Sequence, residues 1–337
     1  MPTRAWPRRL RVTALLGVAL LGAVSSVVSQ ETSDAFLGDR MPYGAFDRLP
    51  VSRLHVGGGE IAVGFAPGPL QLSRASLLAW VEGSAGAVAA YYGRFPATYT
   101  RVLVVPRTGR GVSGGKAWGR GGAAVRITVG DQATLDDLAQ DWVLVHEMTH
   151  LAFPSVPARH HWIEEGLATY VEPIARSQAG RLDPSVVWSD LVAGLPKGLP
   201  QDGDRGLDHT RTWGRTYWGG ALFALLADVE IRRRTDGRAG LQDALRAILA
   251  AGNIETAARL EPVLEIGDRA TGVPVLGELY GRMKDQPAPV DLEALWRELG
   301  VRPEGRRVRF DDTAPLAALR RAIIAPHPVA VPTGGSR

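Results

Sequence analysis

The sequence predicts an α+β fold, with a mixed β-sheet in its first half and helices through most of the second. Three observations lead there. Short runs rich in Val, Ile and Thr, bounded by glycine, lie before residue 130. Segments of helical period dominate after residue 155. Between them stands a helix-period segment carrying two histidines four residues apart, His146 and His150.

The elements follow in order. Residues 1–29 read as a secretory signal peptide, since Arg4, Arg8, Arg9 and Arg11 precede an apolar run over 12–24 and small residues through Ser29. That run of about 13 residues is shorter than the ~20 needed to cross a bilayer. Extended to Val28, it would serve as an uncleaved anchor. The expected location is therefore secreted or periplasmic, with membrane attachment only if the leader is retained. Residues 30–154 are expected to form a sheet lobe, and 155–325 a helical lobe of the same domain.

Within the first lobe, 53–65 alternates enough for two strands around the turn Gly57-Gly58-Gly59. Residues 74–92 have the period of a helix, and 101–106 and 123–129 read as strands. Seven glycines over 109–122 read as a flexible hairpin or the rim of a site, and Gly115-Lys116-Ala117 lacks the hydroxyl residue of a phosphate-binding loop. Thr134 is a candidate N-cap with Asp137 in the capping-box position. One helix is expected from there to Ala152, burying Leu138, Trp142, Val145 and Leu151 on one side.

In the second lobe, 162–172 has helical period and is expected to stop at Pro173. Residues 184–215, rich in Gly, Pro and Asp, are expected to wall a cleft and hold His209, Arg211 and Arg215. Thr216 opens an apolar helix toward Arg232. Helical segments at 291–299 and 315–324 flank a short strand near Val308, and 326–337 reads as a disordered tail.

Composition narrows the function. The leader holds four of the 39 basic residues and no acidic ones, leaving 35 against 35. No basic stripe remains to bind nucleic acid. The absence of cysteine excludes disulfides and thiolate metal sites.

The chemistry gathers at His146-Glu147-Met148-Thr149-His150. Residues four apart share a helix face, so both imidazoles can bind one zinc ion, with Glu147 beside it. Seven His and fifteen Glu in 337 residues give about 0.006 chance occurrences of His-Glu-x-x-His. A third ligand separates a metal centre from an ordinary helix with two solvated histidines. Glu164 and Glu165 both lie downstream, about 100° apart around a helix, and spacing does not choose between them. His160 and His161 are rivals that read better as surface residues. A third His six positions after His150 is absent, because Val156 stands there.

Paired with Trp162-Ile163-Glu164-Glu165-Gly166-Leu167-Ala168-Thr169-Tyr170, the motif resembles the gluzincin zinc metallopeptidases. The resemblance implies a thermolysin-like fold with a sheet edge beside the histidine helix, for which 123–129 is the candidate, one Zn²⁺ held by His146, His150 and Glu165, and Glu147 as the base that activates water. It also places a carboxylate at Glu172, positioned to orient a ligand His. Tyr217-Trp218-Gly219-Gly220-Ala221 resembles the segment whose tyrosine hydrogen-bonds the transition-state oxyanion, which implies that role for Tyr217. The run through Asp228, Arg232, Asp236, Gly237 and Asp243 is similar to the glycyl aminopeptidase-like branch, over about 102–248, without that branch's PDZ domain.

The Gly-Ala-Met-Glu-Asn segment of one aminopeptidase branch is also absent. A peptide or protein substrate is expected, with the choice between endopeptidase and aminopeptidase open. The alternatives are a non-catalytic peptide-binding envelope protein and a zinc hydrolase of non-peptide amides or esters.

Overall fold

A computed structural model describes residues 36–326. The expected leader and nearly all of the expected tail lie outside them. The described chain begins with a short helix α1 (Tyr43–Phe46), then the hairpin β1 (Val51–Val56) and β2 (Gly59–Phe65). Gly57 and Gly58 make its turn at φ values of 55° and 81°, where a side chain is strained. Helix α2 (Arg74–Tyr92) crosses to β3 (Tyr99–Arg107), followed by β4 (Val112–Trp118) and β5 (Ala124–Gly130).

The five strands form one mixed sheet in the order β1-β2-β3-β5-β4. β2, β3 and β5 run parallel, and β1 and β4 join the two sides antiparallel. The strand at 101–106 reads as an unbroken apolar run because both of its faces are covered. Val102 and Val104 enter the main core, while Leu103 and Val105 pack with Phe36, Met41 and Phe46 on the opposite face.

The glycine-rich stretch forms the first arm of a hairpin with β5, and one expectation about the sheet is corrected: β4 within that stretch, not 123–129, is the edge. Glycine has low β-propensity, so the run was unreadable as a strand until pairing with β5 supplied its hydrogen bonds.

The single helix expected over 134–152 is two. The capping box of Thr134 and Asp137 starts α3 (Leu135–Gln140), as read from the sequence. Asp141 then adopts an extended ψ of 133°, and its carboxylate accepts from the backbone N–H groups of Val143 and Leu144 at 2.9 and 3.1 Å. It thereby starts α4 (Val143–His150) afresh. The break turns Trp142 outward, 52% exposed, where a continuous helix was expected to bury it.

Helix α5 (His161–Gln178) runs through Pro173 instead of stopping there. Ile174 and Ala175 beyond it are fully buried, and packing outweighs the hydrogen bond that proline cannot donate. Next come α6 (Pro184–Gly194), a π-helical turn (Gly214–Gly219) and α7 (Gly220–Arg234). The chain closes with α8 (Leu241–Ala251), α9 (Leu260–Thr271), α10 (Val275–Met283), α11 (Leu292–Leu299), the hairpin β6 (Val301–Glu304) and β7 (Arg307–Phe310), and α12 (Ala317–Ile324). Among the described residues no helix is long and apolar enough to cross a membrane.

Helices α5 and α7 touch backbone to backbone at Gly166 and Gly220, where a Cβ on either would overlap the other helix. Gly166→Ala is therefore expected to destabilise the protein by about 1–3 kcal/mol. Gly86→Ala on α2, with open space around the new methyl, should stabilise it by about 0.5–1 kcal/mol. Denaturant unfolding of the two variants checks the contrast, and equal effects would mean that the close approach is not limiting.

Candidate metal centre

Helix α4 is buried on nearly every side, with Leu144, Val145, Met148 and Thr149 in the core. His146 and His150 point from it toward α5, with ring centroids 4.9 Å apart and planes at 84°. Glu165 meets them from the second turn of α5. Its Oε2 lies 3.2 Å from His146 Nε2 and 3.6 Å from His150 Nε2. The three ligand atoms all fall within 4.8 Å of one another.

Tetrahedral ligands about 2.1 Å from a shared ion sit ~3.4 Å apart, and the two observed separations bracket that value. Two imidazoles and a carboxylate, buried and convergent, fit a zinc-type ion. The adjacent Glu164 faces elsewhere, toward His161 and the Val156 backbone. Geometry thus selects the carboxylate that spacing left undecided.

The charges of the metal-free site are tightly coupled. Burial raises the Glu165 carboxyl, but bonds from His146, His150 and His161 override it and hold the group far below the usual carboxylate range. Burial lowers His146. It also acts against His150, yet the bond to Glu165 and the charge of Glu147 raise that imidazole above its ordinary value. A bound metal must displace that proton. Metal affinity is therefore expected to fall by up to about tenfold per pH unit below the His150 value. Equilibrium dialysis against buffered zinc between about pH 8 and 5 measures this, and a flat profile would rule out His150 as a ligand.

Glu147 is buried beside the ligands, and burial pushes its carboxyl up to about 7, with His150 partly offsetting the rise and Glu165 adding to it. Across it lies the edge strand β4, where any side chain at Gly115 would overlap that of Glu147. The glycine-rich rim thus has a steric reason. Lys116 on the same strand and Arg126 on β5 temper the rise.

Tyr217 projects from the π-helical turn. Its ring stacks over His146 with centroids 6.4 Å apart and planes at 22°, and Trp213 stacks on it at 5.8 Å. Burial, then the charge and hydrogen bonding of Glu165, push the phenol up to about 12, so it remains a donor at neutral pH.

Other expectations divide. Glu172 forms a buried ion pair with Arg176 at 2.8 Å and makes no hydrogen bond to either ligand imidazole among the described residues. His160, expected on the surface, is wholly buried, with Nδ1 2.9 Å from Asp208 Oδ1. His161 is exposed as expected, yet its Nε2 lies 3.2 Å from Glu165 Oε1. The four-residue spacing on one helix was the available signal for that contact. Arg215 is buried against Asp204, His209 pairs with Asp285, and Arg211 is exposed. Trp142, edge-on to His146 at 5.5 Å, was not anticipated at the site.

No protein-family model matches the sequence, and no curated protein matches it. Solved structures do match. An aminopeptidase N family protein from Idiomarina loihiensis aligns with a TM-score of 0.56 at 15% identity, over 75% of this chain and 49% of that one. An M1 zinc metallopeptidase from Deinococcus radiodurans aligns with a TM-score of 0.46 at 18% identity, over 72% and 55%. The chain spans about half the length of these structures. At such identities the likeness is one of fold, and it rests on the first: the mixed sheet and its helices share the architecture of that aminopeptidase N family protein.

Proposed function

We propose that this protein is a secreted or periplasmic zinc-dependent metallopeptidase. The observation that carries the reading is the convergence of His146, His150 and Glu165 beside a buried Glu147, with the Tyr217 ring over His146. A zinc ion held by those three side chains would supply a Lewis acid that makes water a nucleophile near neutral pH. Glu147, buried beside those ligands, takes the proton of the attacking water and returns it to the leaving amine. Tyr217 donates its phenolic hydrogen to the substrate oxygen as negative charge develops there.

The exposed edge of β4 offers backbone N–H and C=O groups to an extended peptide beside Glu147. The likeness in fold to an aminopeptidase N family protein favours the same chemistry here. The extracytoplasmic placement rests on the leader-like composition of residues 1–29.

The test is to incubate zinc-loaded protein with a mixed peptide library and map the new termini. Cuts confined to first residues identify an aminopeptidase, and internal cuts an endopeptidase. Activity that survives full chelation of zinc would overturn the reading.

A further inference from the structure

Beside the metal centre lies a cavity of about 480 Å³, large enough for a side chain or a chain end. Trp162, Leu207 and Val156 give it an apolar floor, and Arg159, Arg211 and Glu164 stand around it. It shares a wall with the centre. His161 also lines it and lies 3.2 Å from Glu165 Oε1, and Thr216, the residue before Tyr217, closes the same side.

The charges around the cavity are unequal. Glu164 is engaged, with Oε2 3.2 Å from His161 Nδ1 and Oε1 accepting from the Val156 backbone N–H at 3.4 Å. Arg159 and Arg211 form no ion pair and no hydrogen bond among the described residues. Arg215, four positions after Arg211, is by contrast buried against Asp204. Even with a neutral His161, two guanidinium groups face one occupied carboxylate. A guanidinium without a partner on the rim of an apolar cavity is suited to a planar oxyanion.

We infer that this cavity is a carboxylate subsite for the substrate peptide. The inference rests on the peptidase reading and deepens it. The apolar floor takes the stem of the bound group, and Arg159 and Arg211 clamp its carboxylate. An acidic side chain flanking the cut and the free C-terminus of a short peptide present the same chemistry.

The experiment compares zinc-loaded wild type with the double variant Arg159→Gln, Arg211→Gln on four forms of one peptide. These carry Glu or Gln flanking the cut, each with a free or amidated C-terminus. Wild type is expected to prefer the matching carboxylate by about tenfold in kcat/KM, chiefly through KM, the size of one charge-assisted hydrogen bond. The double variant should lose that preference and stay within about twofold of wild type on the peptide bearing neither carboxylate. Loss on changing Glu to Gln assigns the side chain, and loss on amidation assigns the C-terminus.

Equal wild-type rates on all four forms, or an equal fall on all four in the double variant, overturn the subsite. Calorimetric binding of the same peptides to zinc-loaded Glu147→Gln protein, with and without the two Arg substitutions, separates this inference from the one beneath it. If wild type cleaves nothing, Arg-dependent binding of the carboxylate forms still supports the subsite, and binding blind to the carboxylate removes it.

Discussion

Glu147→Gln is expected to lower peptide hydrolysis by about 10²–10⁴-fold while leaving the metal bound and stabilising the metal-free fold. The amide fills the same space beside Gly115 but accepts no proton from water. It is not one of the three convergent ligands, so zinc stoichiometry should not change. The stability gain follows from the raised carboxyl. Between its ordinary value of 4.5 and about 7, the folded protein holds this proton more tightly than the unfolded chain does. Its contribution to stability is therefore present at low pH and lost as pH rises through that window.

Removing the charge should restore about 2 kcal/mol to the metal-free protein at pH 8, a discounted share of ~1.4 kcal/mol per pKa unit. Denaturant titration of both proteins in chelator, beside turnover in zinc, measures the two effects. A variant that is inactive and less stable would argue that Glu147 is structural. Loss of activity with a gain in stability is the expected signature of a group placed for chemistry at a cost to the fold.

The second large effect is expected at Asp208, distant from Glu165 in sequence but tied to the start of the same helix. Its Oδ1 lies 2.9 Å from His160 Nδ1 and accepts from Trp162 Nε1 at 2.7 Å, and its Oδ2 accepts from Tyr280 Oη–H at 2.9 Å. All four side chains are buried. Asp208→Ala would strand three polar groups in the core, and the expected loss is about 3–5 kcal/mol. Because His160 and Trp162 lie at the start of α5, metal affinity should weaken as well, through the placement of Glu165. Asp208→Asn keeps most of the contacts and should cost less than half as much. Thermal unfolding and zinc titration decide the matter, and a loss below about 1 kcal/mol for the Ala variant would show that water satisfies the stranded groups.

The parts legible in the sequence are those governed by local rules. His146 and His150 were readable because a helix brings residues four apart onto one face, whatever packs around it. The Thr134 capping box and the turn at Gly57 and Gly58 were readable for the same reason. Asp141 was a missed local signal. It is a strong N-capping residue inside a helical pattern, and reading it as one would have exposed Trp142. His161 reads as a surface residue, although its four-residue spacing to Glu165 allows the contact that the fold makes.

What the sequence determined alone was a helix offering two imidazoles and a carboxylate, together with a nearby pair of candidate third ligands. Which of that pair turns inward, Glu165 and not Glu164, was decided by how α5 lies against α4 and α7, where Gly166 and Gly220 allow their backbones to touch. The edge position of β4 and the burial of His160 on Asp208 were decided in the same way. The physical reason is common to all three. Helix periodicity and capping act over a few residues of one segment, whereas the burial of a strand or side chain depends on partners elsewhere in the chain. Those partners exist only once the sheet and helices have closed around them.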